Sequence, residues 1–115
     1  MLAVGGQVLN ELHPQWVRMT TGFAGGVGGT EEELCGALSG GIMVIGGLHG
    51  RSTLEEDDSR ALELVTRYRE CFLAELGETR CAPLRESAYA AGGLSPCSVV
   101  VERAAQILLD LLSEQ

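Results

Sequence analysis

The sequence predicts an all-α fold: a compact bundle of four to five helices, with a long irregular connection before the last one. Three observations predict it. Apolar residues recur at helical spacing in three separate stretches, 34–45, 62–76 and 101–111. Helix-start signals precede each of them, and the alternating pattern of strands is scarce. At 115 residues the chain is the size of one ordinary domain, so 1–115 is expected to fold around one core.

The elements follow in order. Leu2 to Leu12 is expected as a short helix, weakened by Gly5 and Gly6, that ends near His13 because Pro14 disfavours helical geometry in the residue before it. A second short helix is expected over Gln15 to Phe23, where Trp16, Val17, Met19 and Phe23 are the apolar positions. The glycine-rich turn Gly22 to Gly29 then leads to Thr30, read as an N-cap with Glu33 completing a capping box. From it starts a third helix with Leu34, Leu38, Ile42 and Ile45 on one face and Gly36, Gly40 and Gly47 on another. Each interior glycine costs ~1 kcal/mol relative to alanine, so something is expected to approach that backbone closely: a helix, a symmetry mate or a flat cofactor.

The fourth helix is expected to be capped by Ser52 or Thr53, with Glu55 to Asp58 in its first turns. Leu62, Val65, Phe72 and Leu76 mark its apolar face, and Gly77 ends it. Glu78 to Leu94, with Pro83, Gly92 and Gly93, reads as the irregular connection. Ser95 and Pro96 read as cap and first residue of a final helix striped by Val101, Ala104, Leu108 and Leu111.

The composition limits the partners. Sixteen acidic residues stand against eight basic ones, all arginine, for a net charge of -8. Such a surface repels phosphate backbones and anionic lipid headgroups, so neither nucleic acid nor membrane is an expected partner. The uncharged run Leu34 to Gly50 is shorter than the ~20 apolar residues that span a bilayer, and no secretory signal opens the chain. A cytoplasmic location is expected.

Chemistry rests with the cysteines. Cys35, Cys71, Cys81 and Cys97 contain no C-x-x-C pair, so any shared site must be assembled by the fold. Free cysteine is often a small buried hydrophobe, and that reading applies to each of the four. Cys35 is expected inside the third helix with Glu31 and Glu32 one turn before it, where carboxylates oppose a thiolate. Cys97 is expected two residues past a helix cap, where the helix dipole and free N–H groups favour one. Cys81, in the irregular connection, is its favoured partner, and a bond between them would close a loop of about 16 residues, corresponding to roughly 3 kcal/mol in the chain-entropy model. In a reducing compartment that bond is expected to be transient or catalytic.

Thr21-Gly22-Phe23 with its following glycines, Cys35-Gly36-Ala37-Leu38-Ser39-Gly40, and the later Cys81 and Cys97 together resemble a family of small redox-active proteins named for its Cys, Gly-Cys-Ala-x-x-Gly, Cys, Cys pattern. The resemblance covers residue 4 to the end. It implies a small helical protein with a redox or metal-cluster role, similar to a domain of the split-Soret cytochrome. Iron-sulfur cluster or haem are the cofactors it brings into consideration. Cys35, Cys81 and Cys97 are the expected redox or metal-ligating residues, and Gly25, Gly26, Gly36 and Gly40 the backbone that a cofactor would approach. The family's first cysteine has no counterpart near Val4 to Gly6, and Gly29 stands near where an arginine is expected.

Other readings have less support. A phosphate loop lacks its lysine and preceding strand, and Glu31 to Glu33 would repel the anion. His49 lies about 21 Å along a straight helix from Cys35, too far to share a metal. Two hypotheses follow: a redox or metal-binding thiol protein with an unknown redox partner, and a non-enzymatic helical homodimer whose glycine faces pack and whose cysteines are inert.

Overall fold

The computed structural model describes residues 2–90 and 96–114. They form six α-helices: α1 (Leu2–Val8), α2 (Pro14–Met19), α3 (Gly36–His49), α4 (Ser59–Leu76), α5 (Cys81–Ala90) and α6 (Pro96–Ser113). A single turn of 3-10 helix, Thr21–Phe23, follows α2. The fold is all-α as expected, and the only strand-like feature among the described residues is one antiparallel bridge, Leu34 to Arg80. The positions expected for Gly92, Gly93 and the Ser95 cap lie outside the described residues. No described helix is long and apolar enough to cross a membrane.

The three longest helices make the core. Leu38 and Ile45 of α3, Leu64, Tyr68 and Phe72 of α4, and Ala104, Leu108 and Leu111 of α6 are all 2% exposed or less. Fully burying one such large side chain contributes ~1.5–3 kcal/mol. Tyr68 sits where the three helices meet. Its hydroxyl reaches the carbonyls of Ala37 on α3, at 3.4 Å, and Ala104 on α6, at 3.3 Å. Its ring meets Phe72 edge-on, with centroids 6.2 Å apart. Gly41 makes room for that ring: a Cβ there would lie 2.5 Å from Tyr68 Cζ.

Several expectations are corrected. The α3 helix begins at Gly36, not Thr30, because the turn before it is left-handed. Gly25, Gly26, Val27, Gly28 and Gly29 all have φ between 60° and 74°, and Glu31 follows at 62°. Glycine adopts that region at little cost, which accounts for the density of glycines here. The Thr30 hydroxyl donates to the carbonyl of Gly26 or Val27, both 2.9 Å away, instead of capping a helix. Leu34, expected on the apolar face, is half-exposed in the bridge.

The α4 helix begins at Ser59, so Ser52 and Thr53 do not cap it. Both hydroxyls instead donate to Glu56 in the preceding loop. The Asp57 carboxylate accepts the Ser59 N–H at 3.1 Å and its hydroxyl at 2.6 Å, and these bonds hold its pKa below the ordinary value. The buried face is Ala61, Leu64, Tyr68 and Phe72, while Leu62 is exposed. Its end is as expected: Gly77 takes φ 79° and donates to Leu73 O at 2.8 Å.

The largest departure is α5. Residues 81–90 are helical where an irregular connection was expected. Pro83 is the third residue of that helix, in the first turn, where a missing N–H costs no intrahelical bond. At the other end of the chain α1 stops at Val8, and His13 is extended at φ -65° and ψ 140°, the geometry that Pro14 imposes.

Candidate functional site

Three of the four cysteines open helices. Cys35 is the N-cap of α3, Cys81 the first residue of α5, and Cys97 the second residue of α6. The expectation that Cys35 stands inside a helix, one turn after Glu31 and Glu32, is therefore corrected. Its carbonyl accepts the N–H groups of Leu38 at 3.0 Å and Ser39 at 3.1 Å, and the buried Ser39 hydroxyl at 3.4 Å. These bonds lock the cap residue in place.

Backbone pairing brings Cys35 and Cys81 together. Cys35 N–H donates to Thr79 O at 2.8 Å, Cys81 N–H to Glu33 O at 2.8 Å, and Ala82 N–H to Glu31 O at 3.0 Å, around the Leu34–Arg80 bridge. The last two bonds also satisfy N–H groups that the start of α5 leaves without intrahelical partners. At an antiparallel bridge, residues one step out on either side share a face, which makes Cys35 and Cys81 diagonal neighbours. The left-handed turn closes over them. A Cβ on Gly26 would lie 2.5 Å from Cys81 Cβ and 2.9 Å from Glu31 Cα, so only glycine fits. The group packed against Gly26 is thus the Cys81 side chain.

Cys35, Cys81 and Cys97 all line one open cavity of about 1030 Å³. Its floor includes Gly36, Ala37, Gly40, Val44 and Gly47 of α3, with Gly25 from the turn. Gly36 faces the Phe23 carbonyl, which lies 3.4 Å from where its Cβ would be, and Gly47 faces Leu9 at 3.1 Å. The glycine side of α3 thus packs against the Phe23 carbonyl and Leu9, with Gly36, Gly40 and Gly47 among the residues that line the cavity. Trp16, Met19 and Phe23 line it from α2 and the 3-10 turn, and these two short elements bury none of their residues. His13 packs edge-on to Trp16 with ring centroids 4.3 Å apart. Val101 of α6 lines the cavity and is 40% exposed. Cys71, on α4, is exposed and is not part of the lining.

The thiols differ in setting. Cys81 is buried, Cys35 half-buried and Cys97 exposed, and all are free. Burial, the strongest influence, pushes the Cys81 thiol above its ordinary pKa, and the neighbouring Cys35, Glu31 and Cys97 push it the same way in that order. Arg85, one turn along α5, opposes them. Its guanidinium pairs with the Glu31 carboxylate at 3.0 Å. Sequence reasoning missed Arg85, which the i, i+4 relation to Cys81 would have revealed had 81–90 been read as a helix. Burial also raises the Tyr68 phenol, with Cys35 adding to it.

Among the described residues, no three Cys, His, Asp or Glu side chains are grouped to hold a metal ion. Cys35, Cys81 and Cys97, the cysteines expected as metal ligands, line a common cavity without forming such a set.

Comparison with known proteins agrees with the motif. No curated protein matches the chain. No solved structure matches it. Residues 1–111 match the family described as "Putative redox-active protein (C_GCAxxG_C_C)". That description supports a redox role in general. With nearly the whole chain matched, and three cysteines placed at helix starts around one cavity, the protein belongs to the C_GCAxxG_C_C family.

Proposed function

We propose that the protein is a thiol redox protein whose centre is Cys81, flanked by Cys35 and Cys97. The observation that carries this reading is the convergence of three cysteines, from three separate helix starts, on one cavity that the fourth cysteine does not line. Cys81 is the shared thiol, because it is the diagonal neighbour of Cys35 across the Leu34–Arg80 bridge and lines the same cavity as Cys97. In oxidation, Cys81 and one partner form an S–S bond; their two protons and two electrons pass to the acceptor. Buried Cys81 is protonated more readily than an ordinary thiol, so exposed Cys97 is the entry point and Cys81 the residue that resolves the intermediate. A reversible thiol centre of this kind suits a reducing compartment, the cytoplasm being the simplest. The fold is carried by one domain spanning the chain.

The test is a count of thiols and disulfides after equilibration in graded thiol–disulfide buffers. The reading requires one reversible disulfide that includes Cys81, lost in Cys81→Ser and retained in Cys71→Ser. Four cysteines that remain thiols throughout would refute it.

A second reading is supported by two apolar residues of the cavity lining that are exposed, Met19 at 70% and Trp16 at 47%. Exposed apolar surface of this kind marks contact sites, and a homodimer would cover it. Sedimentation equilibrium of the wild type and Met19→Glu tests this: a monomer in both rules the dimer out.

A further inference from the structure

Resting on the redox reading above, we propose that the partner oxidised or reduced at this site is an uncharged, largely apolar small molecule held in the cavity against Cys97 and Cys81. Three observations select that class. The first is size: about 1030 Å³ is just above the roughly 300 to 1,000 Å³ of small-molecule pockets, so a small organic molecule has room. The second is the lining, where Trp16, Met19, Phe23, Met43 and Val44 supply aromatic and aliphatic surface beside glycines of α3. The third is charge. Apart from the thiols, the only ionisable side chain among the described lining residues is Arg85, and Glu31 already balances it at 3.0 Å. A charged ligand entering here would lose its hydration without gaining an uncompensated counter-charge. A neutral one loses little and gains the burial of its apolar surface.

The reaction with an apolar disulfide shows the balance. The Cys97 thiolate attacks one sulfur of the disulfide, forming a mixed disulfide and releasing the first thiolate. The Cys81 thiolate then attacks the Cys97 sulfur, releasing the second and leaving the Cys81–Cys97 bond. Two protein thiols are oxidised and one substrate disulfide is reduced.

Two aromatic disulfides distinguish the charge requirement: neutral dithiodipyridine and dianionic dithiobis(nitrobenzoate). Both are to be used on the Cys71→Ser protein, which removes the exposed thiol outside the cavity, and at high salt, where the general repulsion of a net charge of -8 is screened. The expected result is a dithiodipyridine rate that saturates with concentration and a slower dithiobis(nitrobenzoate) rate that rises linearly. Val101→Phe, which adds bulk to a residue of the lining, is expected to weaken the saturable step about tenfold, the effect of excluding about two buried methylenes. Independently of any thiol, neutral phenylnaphthylamine is expected to bind and quench Trp16, the only tryptophan in the chain. Equal, unsaturable rates for both disulfides, or no quenching of Trp16, would overturn the substrate class while leaving the redox centre standing, provided the Cys81 disulfide forms. Failure of that disulfide to form with both reagents would remove the redox centre itself.

Discussion

Gly41 and Gly46 lie on the same helix, and the same substitution is expected to act oppositely at the two. A Cβ at Gly41 would stand 2.5 Å from Tyr68 Cζ, whereas carbon atoms pack at about 3.5 Å, so the ring would have to retreat by about 1 Å. Tyr68 is fully buried, and its hydroxyl is already 3.3 and 3.4 Å from its two carbonyl acceptors. Retreat strains the packing of α3, α4 and α6, at a typical cost of about 1–3 kcal/mol for overpacking. A hydroxyl drawn out of reach adds roughly 1–3 kcal/mol. The better helix propensity of alanine returns only ~1 kcal/mol. The net expectation for Gly41→Ala is a loss of about 1–5 kcal/mol, by combining these terms. At Gly46 nothing stands within 4 Å of the added Cβ, so only the propensity gain of about 1 kcal/mol remains. Urea unfolding followed by circular dichroism reads both as shifts of midpoint at unchanged slope. A Gly41→Ala midpoint at or above wild type would refute the packing described for the Tyr68 junction, and a Gly46→Ala midpoint below it would refute the open space beside Gly46.

Other outcomes follow from the turn, the surface and the thiols. Val27 holds φ 69°, a region costly for a β-branched residue, and it is 42% exposed. Val27→Asn is expected to raise stability by ~1 kcal/mol in the same unfolding assay, and a lower midpoint would show that the side chain matters more than the strain. The Glu78 carboxylate is held down from 4.5 to about 2 by the Arg80 side chain, then by the Thr79 and Arg80 N–H groups. Because its folded pKa is depressed, its stabilisation is present above the unfolded value and lost as pH falls towards about 2. Glu78→Gln should flatten the pH dependence of stability in that acid window, and an unchanged acid profile would contradict the assignment. Time-resolved alkylation by a neutral reagent should modify Cys71 and Cys97 before Cys81, whose thiol is both buried and raised in pKa. Cys81 reacting first would reverse the roles given to the two partners.

Much of the fold was legible because its core obeys simple periodicity. Leu38 and Ile45 on α3, and Ala104, Leu108 and Leu111 on α6, are buried as their spacing predicts. Gly77 ends α4 in the left-handed conformation its position implies. What was misread depends on contacts between distant segments. Thr30 has the local signature of a cap, yet the left-handed run before it sends its hydroxyl back to Gly26 and Val27. Residues 81–90 carry a proline and weak patterning, and their helix is anchored by carbonyls of residues 31 and 33, some fifty positions earlier. For the same reason Cys35 appeared as a poor thiol surrounded by carboxylates on its own helix. The structure makes it a cap residue, and Glu31 turns to Arg85. The motif pointed to the three cysteines, but only the fold shows that they line one cavity.

The account rests on Cys81 as the thiol shared by Cys35 and Cys97. The most direct test is differential alkylation with mass mapping of disulfides, on wild type and Cys81→Ser, after mild oxidation by a neutral aromatic disulfide. The account predicts a Cys81 disulfide to Cys97 or Cys35 in the wild type, reversed by added thiol, and no intramolecular disulfide in Cys81→Ser. An intramolecular disulfide that persists at full yield in Cys81→Ser would contradict it.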